Sequence, residues 1–307
     1  MKVSELGEFG LIERLRDELG AQEKATTILG PRSHLLIGIG DDAALWQSPG
    51  VAHLATTDTM VADVHFPSEG VGWSDLGWKA LAANVSDIAA MGGSPEYALV
   101  TLALPDEFLV EDVVALYKGM AAAGREYGVV IAGGDLVRAS QVIITVALTG
   151  RATESPRGEP LALRRDAAQA GDLVAVSGSL GNAAGGLRLL LESLPCTPEA
   201  ADYLRRAQVR PRPHVDLGQG LLRMGIRCAI DISATAMAVG GGEDYELLFT
   251  GPANLVDRVR GRFTIPITVI GTMVDNEERS VRFLDEAGHE VTFAEAGWDH
   301  FRGETPR

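Results

Sequence analysis

Several short apolar runs in this chain stop on aspartate, and that pattern limits what it can fold into more than any other feature. LLIGIG leads to Asp41 and Asp42, HLATT to Asp58, VVIAGG to Asp135, and CAI to Asp231. Runs of this kind read as strands buried on at least one face. Segments of helical spacing lie between them: Ser74 is expected to cap a helix running to about residue 91, and a second helix is expected over 110–127. Strands alternating with helices define an α/β (α+β) chain. In such folds the loops at strand ends converge over a rigid sheet, so strand-end carboxylates become candidate site residues.

The rest of the chain has the same texture. Phe9, Ile12, Leu15 and Leu19 fall at helical spacing, with Gly20 as a stop. Strands are expected over 35–39, 51–56, 98–104, 129–132 and 142–148. The charged, Pro- and Gly-rich stretch 151–171 reads as a connector. Beyond it the pattern predicts strands over 173–177, 228–232, 246–250, 268–271 and 281–284. Helices are predicted over 182–194, through Leu204, and over 214–224. The reading is two domains, 1–150 and 151–307.

With 46% hydrophobic and 22% charged residues, the 307-residue chain can bury a substantial core, which excludes disorder as its main state. Its 27 Lys and Arg against 42 Asp and Glu give a net charge of −15, which argues against wrapping nucleic acid or adhering to an anionic membrane. Cys196 and Cys228 stand in no metal-ligand or CxxC spacing, so neither a disulfide framework nor a zinc site is expected. MKVSELGEFGLIERL has early acids and no continuous apolar stretch, so no signal peptide is expected. A cytoplasmic location is the expectation.

One aspartate at a strand end is ordinary turn or cap chemistry. Asp42, Asp58, Asp87, Asp135 and Asp231 together need another account. Asp87, within KALAANVSDIAAMGG, shares a helical side with Ala80, Ala83 and Met91, toward the buried face. Like charges a few ångströms apart repel strongly where water is scarce, so such a cluster needs cations or raised pKa values. Lys and Arg are scarce in these segments. The expected counter-ion is therefore a hard, oxygen-seeking divalent cation, Mg²⁺ first, which bridges one or two carboxylates to substrate phosphates.

Other chemistries lack their residues. Gly38, Gly40 and Ala43 satisfy G-x-G-x-x-A, with Asp58 at a dinucleotide-fingerprint distance, but Asp41 and Asp42 stand where a pyrophosphate would lie. SGSLGNAAGGL either offers backbone N–H groups to an anion or is a tight turn packing a helix on its sheet. No G-x-x-x-x-G-K-[ST] loop, protein-kinase motif set or H-E-x-x-H occurs, which disfavours those ATPases and zinc hydrolases. Metal-assisted polyphosphate chemistry is what remains.

Read together, these segments resemble the thiamine-monophosphate kinase family, of the aminoimidazole ribonucleotide synthetase-like superfamily. The matching stretches are GEFGLI (7–12), GIGDDAAL (38–45), TTDTMVADVHF (56–66), KALAANVSDIAAMGGSP (79–95) and GGD (133–135). Later come SGSLGNAAGGL (177–187), IDIS (230–233), GGEDYELLFT (241–250) and GWDHF (297–301). The resemblance implies an N-terminal mixed sheet that dimerises, a C-terminal α/β domain closing the site, and a homodimer.

It also implies transfer of the γ-phosphoryl group of ATP to thiamine phosphate with several Mg²⁺ ions and no general base. Asp42, Thr56, Thr57, Asp58, Asp87, Asp135 and Asp231 match metal positions. Tyr117, Gly134, Asp135, Arg165 and Ser233 match ATP contacts, with Arg164 as the neighbouring alternative to Arg165. His65, Glu243 and Trp298 match positions that hold thiamine phosphate, where an aromatic face and a carboxylate suit a cationic thiazolium and an aminopyrimidine.

The chain departs from the family after Ser233. An acid and a helix are expected there, yet Ala234-Thr235-Ala236-Met237 leads almost at once to Gly241. Either a segment is missing from this sequence, the favoured reading, or the deletion is real and the protein binds without turnover. Another ATP-using synthetase of the superfamily is the remaining alternative.

Overall fold

The computed structural model describes residues 10–13, 34–68, 72–192, 194–232, 243–275, 281–285 and 287–291. Residues 10–13 are helical. The rest of the first expected helix, the join after Ser233, and Trp298 lie outside the described residues.

The first half builds a six-stranded sheet. Its strands are β1 (His34–Ile37), β2 (Ala44–Ser48), β3 (Val51–Val61), β4 (Ser94–Leu104), β5 (Val130–Arg138) and β6 (Ile143–Arg151), in the order β1-β2-β3-β6-β4-β5. Only β4 and β5 run parallel. The connection between them is the helix α2 (Val110–Tyr127), as parallel neighbours require a crossover. Buried Ala98, Val100 and Leu102 alternate along β4 with exposed Tyr97 and Leu99. One sheet face thus lies on the helices and the other is open.

The helix α1 (Trp73–Ala90) is buried on nearly every side. Its small residues permit this. A Cβ on Gly77 would sit 1.9 Å from the Leu116 carbonyl oxygen, and one on Gly119 1.8 Å from that of Ser74, so α1 and α2 cross almost backbone to backbone. Ser74 is not the cap: the helix starts one residue after Gly72 without a side-chain cap, and Ser74 lies in its first turn.

Two short strands, β7 (Thr153–Glu154) and β8 (Pro160–Leu161), form a hairpin inside the expected connector. The second half holds β9 (Leu173–Ser177), α3 (Asn182–Leu191), α4 (Pro198–Val209), α5 (Val215–Met224) and β10 (Cys228–Ile232). It continues with β11 (Glu246–Gly251), α6 (Ala253–Arg262), β12 (Ile267–Thr272), β13 (Phe283–Leu284) and β14 (Glu290–Val291). An antiparallel sheet ordered β10-β11-β9-β12 carries a core of Leu217, Leu221, Leu247, Phe249, Val256 and Val259. The halves meet along α1. A Cβ on Gly218 would fall 1.9 Å from the Ala89 carbonyl oxygen, and Trp78 Nε1 donates to the Pro211 carbonyl at 2.8 Å.

Two expected strand ends move past an aspartate. β3 runs five residues beyond Thr56 and β5 six beyond Ala132, so Asp58 and Asp135 lie inside them, while Asp231 lies inside β10, which has its expected bounds. The reason is that a ladder is made by backbone groups: Asp58 stays paired with Val146 of β6 while its side chain leaves one face. The strand β2 was not expected, because ALWQS has little strand character until β1 and β3 pair with it.

Candidate active site

Four carboxylates from distant parts of the chain face one another. Asp42 follows β1, Asp58 lies on β3, Asp87 on α1 and Asp231 on β10. Thr56 Oγ1 donates to Asp87 Oδ2 at 2.5 Å, and Ser86 Oγ donates to Asp231 Oδ1 at 2.9 Å. Thr56 and Asp58 share a face of β3. Thr57 projects the other way, and its hydroxyl donates to the Val146 carbonyl at 3.1 Å.

Burial dominates the electrostatics. It pushes the Asp42 carboxyl up to about 6 against the pull of Arg165, and it raises Asp58. Asp87 lies well above the usual range through burial and then the charges of Asp58 and Asp231. Asp231 is raised by burial, against the Ser86 hydrogen bond. Asp42 Oδ2 is buried without a hydrogen-bond partner among the described residues.

An orphaned carboxylate oxygen among mutually repelling acids is a donor set that fits a hard divalent cation. No three carboxylates converge as a finished metal cage among the described residues. Mg²⁺ needs none, since it takes one or two carboxylates and completes its shell with waters and phosphate oxygens.

A protein cation is present after all. Arg165 Nη2 lies 2.5 Å from Asp42 Oδ1, and its Nε lies 3.5 Å from Asp41 Oδ1. It comes from the connector, 123 residues away, so the scarcity of basic residues beside the acids did not reveal it. Arg164 turns outward onto Asp166. Of the two arginines, only Arg165 meets the cluster.

The structure does not bring Asp135 there. Asp58 pairs with Val146, Val146 with Val100, and Val100 with Gly134, so two strands intervene. At about 4.8 Å per strand, roughly 14 Å separates Asp135 from Asp58. Asp135 is exposed on the edge strand, its Oδ1 accepting from the Leu136 N–H. Gly134 is required sterically, since a Cβ there would meet the Val100 carbonyl oxygen at 1.8 Å. Tyr117, half-buried on α2, packs against the first core. Ser233 and Trp298 fall outside the described residues.

A second constellation lies farther along α1. Lys79, buried, pairs with Glu243, and Gln208 Nε2 donates to Glu243 Oε2 at 2.8 Å. Glu243 is held at φ 88°. His65 Nδ1 accepts from the Val61 N–H at 3.1 Å. His65, Lys79, Leu187, Leu190 and Gln208 line one small cavity that opens to solvent.

Tyr245 lies between the two groups. Burial, then the charges of Glu243, Asp58, Asp231 and Asp87, push its hydroxyl well above the usual range.

Lys79, Gln208, Ser86 and Tyr245 were not singled out in the sequence. Lys79 alone left a signal, as the one basic residue in a helix of small residues. The turn SGSLGNAAGGL resolves as packing and capping: Asp244 already accepts from the N–H groups of Gly181 and Ala183, at 2.8 and 2.9 Å.

Two sheets bridged by a buried helix that carries acids match a known class. Residues 40–152 match the family model described as AIR synthase related protein, N-terminal domain. HypE of E. coli, a hydrogenase maturation protein, shares the fold at 20% identity and a TM-score of 0.59.

Closer likenesses are more particular. The chain is 31% identical to the thiamine-monophosphate kinase of Haemophilus influenzae, over 97% of this chain and 98% of that protein. It is 41% identical to that of Bacillus subtilis, over 60% of this chain and 56% of that protein. The structure of AaThiL complexed with AMPPCP and TMP matches at 28% identity and a TM-score of 0.76, covering 98% of this chain and 99% of that one. The chain belongs to the thiamine-monophosphate kinase family. The Haemophilus alignment runs over 342 positions, more than the 307 residues of this chain, so that relative carries segments this one lacks.

Proposed function

We propose that this protein transfers the γ-phosphoryl group of ATP to the phosphate of thiamine phosphate, giving thiamine diphosphate and ADP. One spacing carries the reading. Lys79, which holds Glu243, and Asp87, in the acid cluster, are eight residues apart on α1, or about 12 Å at helical rise. A ligand with an aromatic cation at one end and a phosphate at the other fits that span. The neighbour AaThiL was solved with AMPPCP and TMP together, which supports the same pair of ligands here.

In the proposed reaction an acceptor phosphate oxygen attacks the γ-phosphorus, and the bond to the β–γ bridging oxygen breaks with its electrons leaving on ADP. That oxygen is already ionised at neutral pH, so no side chain need act as base. Asp42, Asp58, Asp87 and Asp231 would hold Mg²⁺, whose contribution when bound is to neutralise the approaching phosphates. Arg165 steadies Asp41 and Asp42 and would meet ATP phosphate. Glu243 and His65 orient the acceptor, together with Trp298.

The homodimer is part of the proposal. β5 is an edge strand, and Leu136 on it is 67% exposed, with Val130 and Val137 also exposed along its length. A long apolar edge invites pairing. Gly134 and Asp135 lie on it, so their nucleotide role is proposed for the assembled dimer. The division at 150/151 and a cytoplasmic location belong to the same reading. No helix among the described residues is long and apolar enough to cross a membrane.

The test is product analysis with purified protein, ATP, Mg²⁺ and thiamine phosphate. Equal amounts of ADP and thiamine diphosphate are expected. Binding without product would instead favour a non-catalytic member with a true deletion after Ser233.

A further inference from the structure

Gln208, near the end of α4, is 4% exposed, and its position is set by close packing. A Cβ on Gly186 of α3 would lie 2.1 Å from the Leu204 carbonyl oxygen and 2.8 Å from Gln208 Cβ, so the two helices touch there. Its amide orientation is set as well. Nε2 donates to the Glu243 carboxylate at 2.8 Å, and turning the amide over would place its oxygen against that charge. The remaining atom, Oε1, is buried with no hydrogen-bond partner among the described residues. Orphaned buried acceptors are uncommon and call for an explanation. This one belongs to a residue that lines the cavity with His65, Lys79, Leu187 and Leu190.

We propose that Gln208 Oε1 accepts a hydrogen bond from an N–H of the organic ligand in this cavity, making Gln208 a specificity-determining residue. The inference rests on the substrate reading above, where the N–H belongs to the amino group of the aminopyrimidine. A ligand with a carbonyl at that place would set oxygen against oxygen. Sites that hydrogen-bond a substrate N–H reject analogues lacking it far more strongly than apolar pockets reject a change of size.

Oxythiamine phosphate, with an oxo group in place of the amino group, is the probe. Wild-type protein should favour thiamine phosphate at least tenfold in kcat/KM. Gln208→Leu, which keeps the volume and removes the acceptor, should shrink that preference to within threefold, mainly through KM for thiamine phosphate, with KM for ATP unchanged. An unchanged preference in a Gln208→Leu protein that still turns over overturns the inference.

Calorimetric binding of the two phosphates to wild-type protein is a second measurement that needs no variant, and equal affinity overturns the inference. Wild-type protein that binds thiamine phosphate preferentially but forms no diphosphate overturns the kinase reading and supports this one. Wild-type protein that binds neither overturns both.

Discussion

Thr56 on β3 donates a 2.5 Å hydrogen bond to Asp87 on α1, tying the edge of the first core to the helix that links both halves. Asp87 is held well above the usual carboxylate range by burial and by Asp58 and Asp231. Asp87→Asn keeps the shape and removes a repelling charge. Metal-free protein should melt no lower than wild type, while diphosphate formation falls by roughly a hundredfold or more and the melting shift on adding Mg²⁺ shrinks. Thermal scans with and without Mg²⁺ read this, and an unchanged Mg²⁺ shift would remove Asp87 from the metal site.

Asp42 gives a pH dependence with a definite sign. Its carboxyl is pushed from 3.8 up to about 6, so the folded protein keeps a proton that the unfolded chain has already lost. Stability of metal-free protein therefore falls as pH rises from about 4 to about 6, by roughly 3 kcal/mol from this group at 1.4 kcal/mol per unit. Mg²⁺ should restore it where the carboxylate is ionised. The melting increment on adding Mg²⁺ should grow between pH 4.5 and 7, and a flat increment would contradict the assignment.

Arg165 and Arg164 are adjacent yet should behave differently. Arg165→Ala exposes Asp42 to uncompensated repulsion and should raise KM for ATP about tenfold or more, as expected for a lost charged contact of 1.4 kcal/mol or above. Arg164 pairs with an exposed Asp166, a contact worth about 0–1 kcal/mol. Arg164→Ala should leave KM for ATP within twofold, and steady-state kinetics on the two variants decide which arginine serves the nucleotide.

Gly77 tests the helix crossing. Its Cβ would overlap the Leu116 carbonyl oxygen at 1.9 Å, a backbone atom that cannot rotate away. Gly77→Ala should lower stability by about 1–3 kcal/mol or more in urea unfolding, despite the better helix propensity of alanine. A gain in stability would mean that α1 and α2 are farther apart than described.

Leu136 tests the dimer. Leu136→Arg puts a charge on the apolar edge of β5. Light scattering should then report a monomer where wild type gives a dimer, and a dimer that persists would move the interface elsewhere.

The strands and long helices were legible because apolar periodicity is local: the helix over 110–127 was read at its observed ends. Strand ends were less legible, since pairing partners, not side chains, carried β3 past Asp58 to Val61. Among the site residues, Asp42, Asp58, Asp87 and Asp231 were readable as acids in an apolar setting. Lys79 and Gln208 were not, because each gains its meaning from Glu243, which is 164 and 35 residues away.

By itself the sequence determined the class of fold, the family, and the kinds of group available: aspartates in glycine-rich apolar segments, with few cations near them. Only the tertiary structure decided which of those groups meet. It joined Arg165 to Asp42, set two strands between Asp135 and Asp58, and turned Thr57 off the face that Thr56 and Asp58 share. The physical reason is that composition and spacing act within a few residues of chain. Charge compensation and burial are properties of neighbours in space, fixed here by strand register and by one helix crossing made close by glycine.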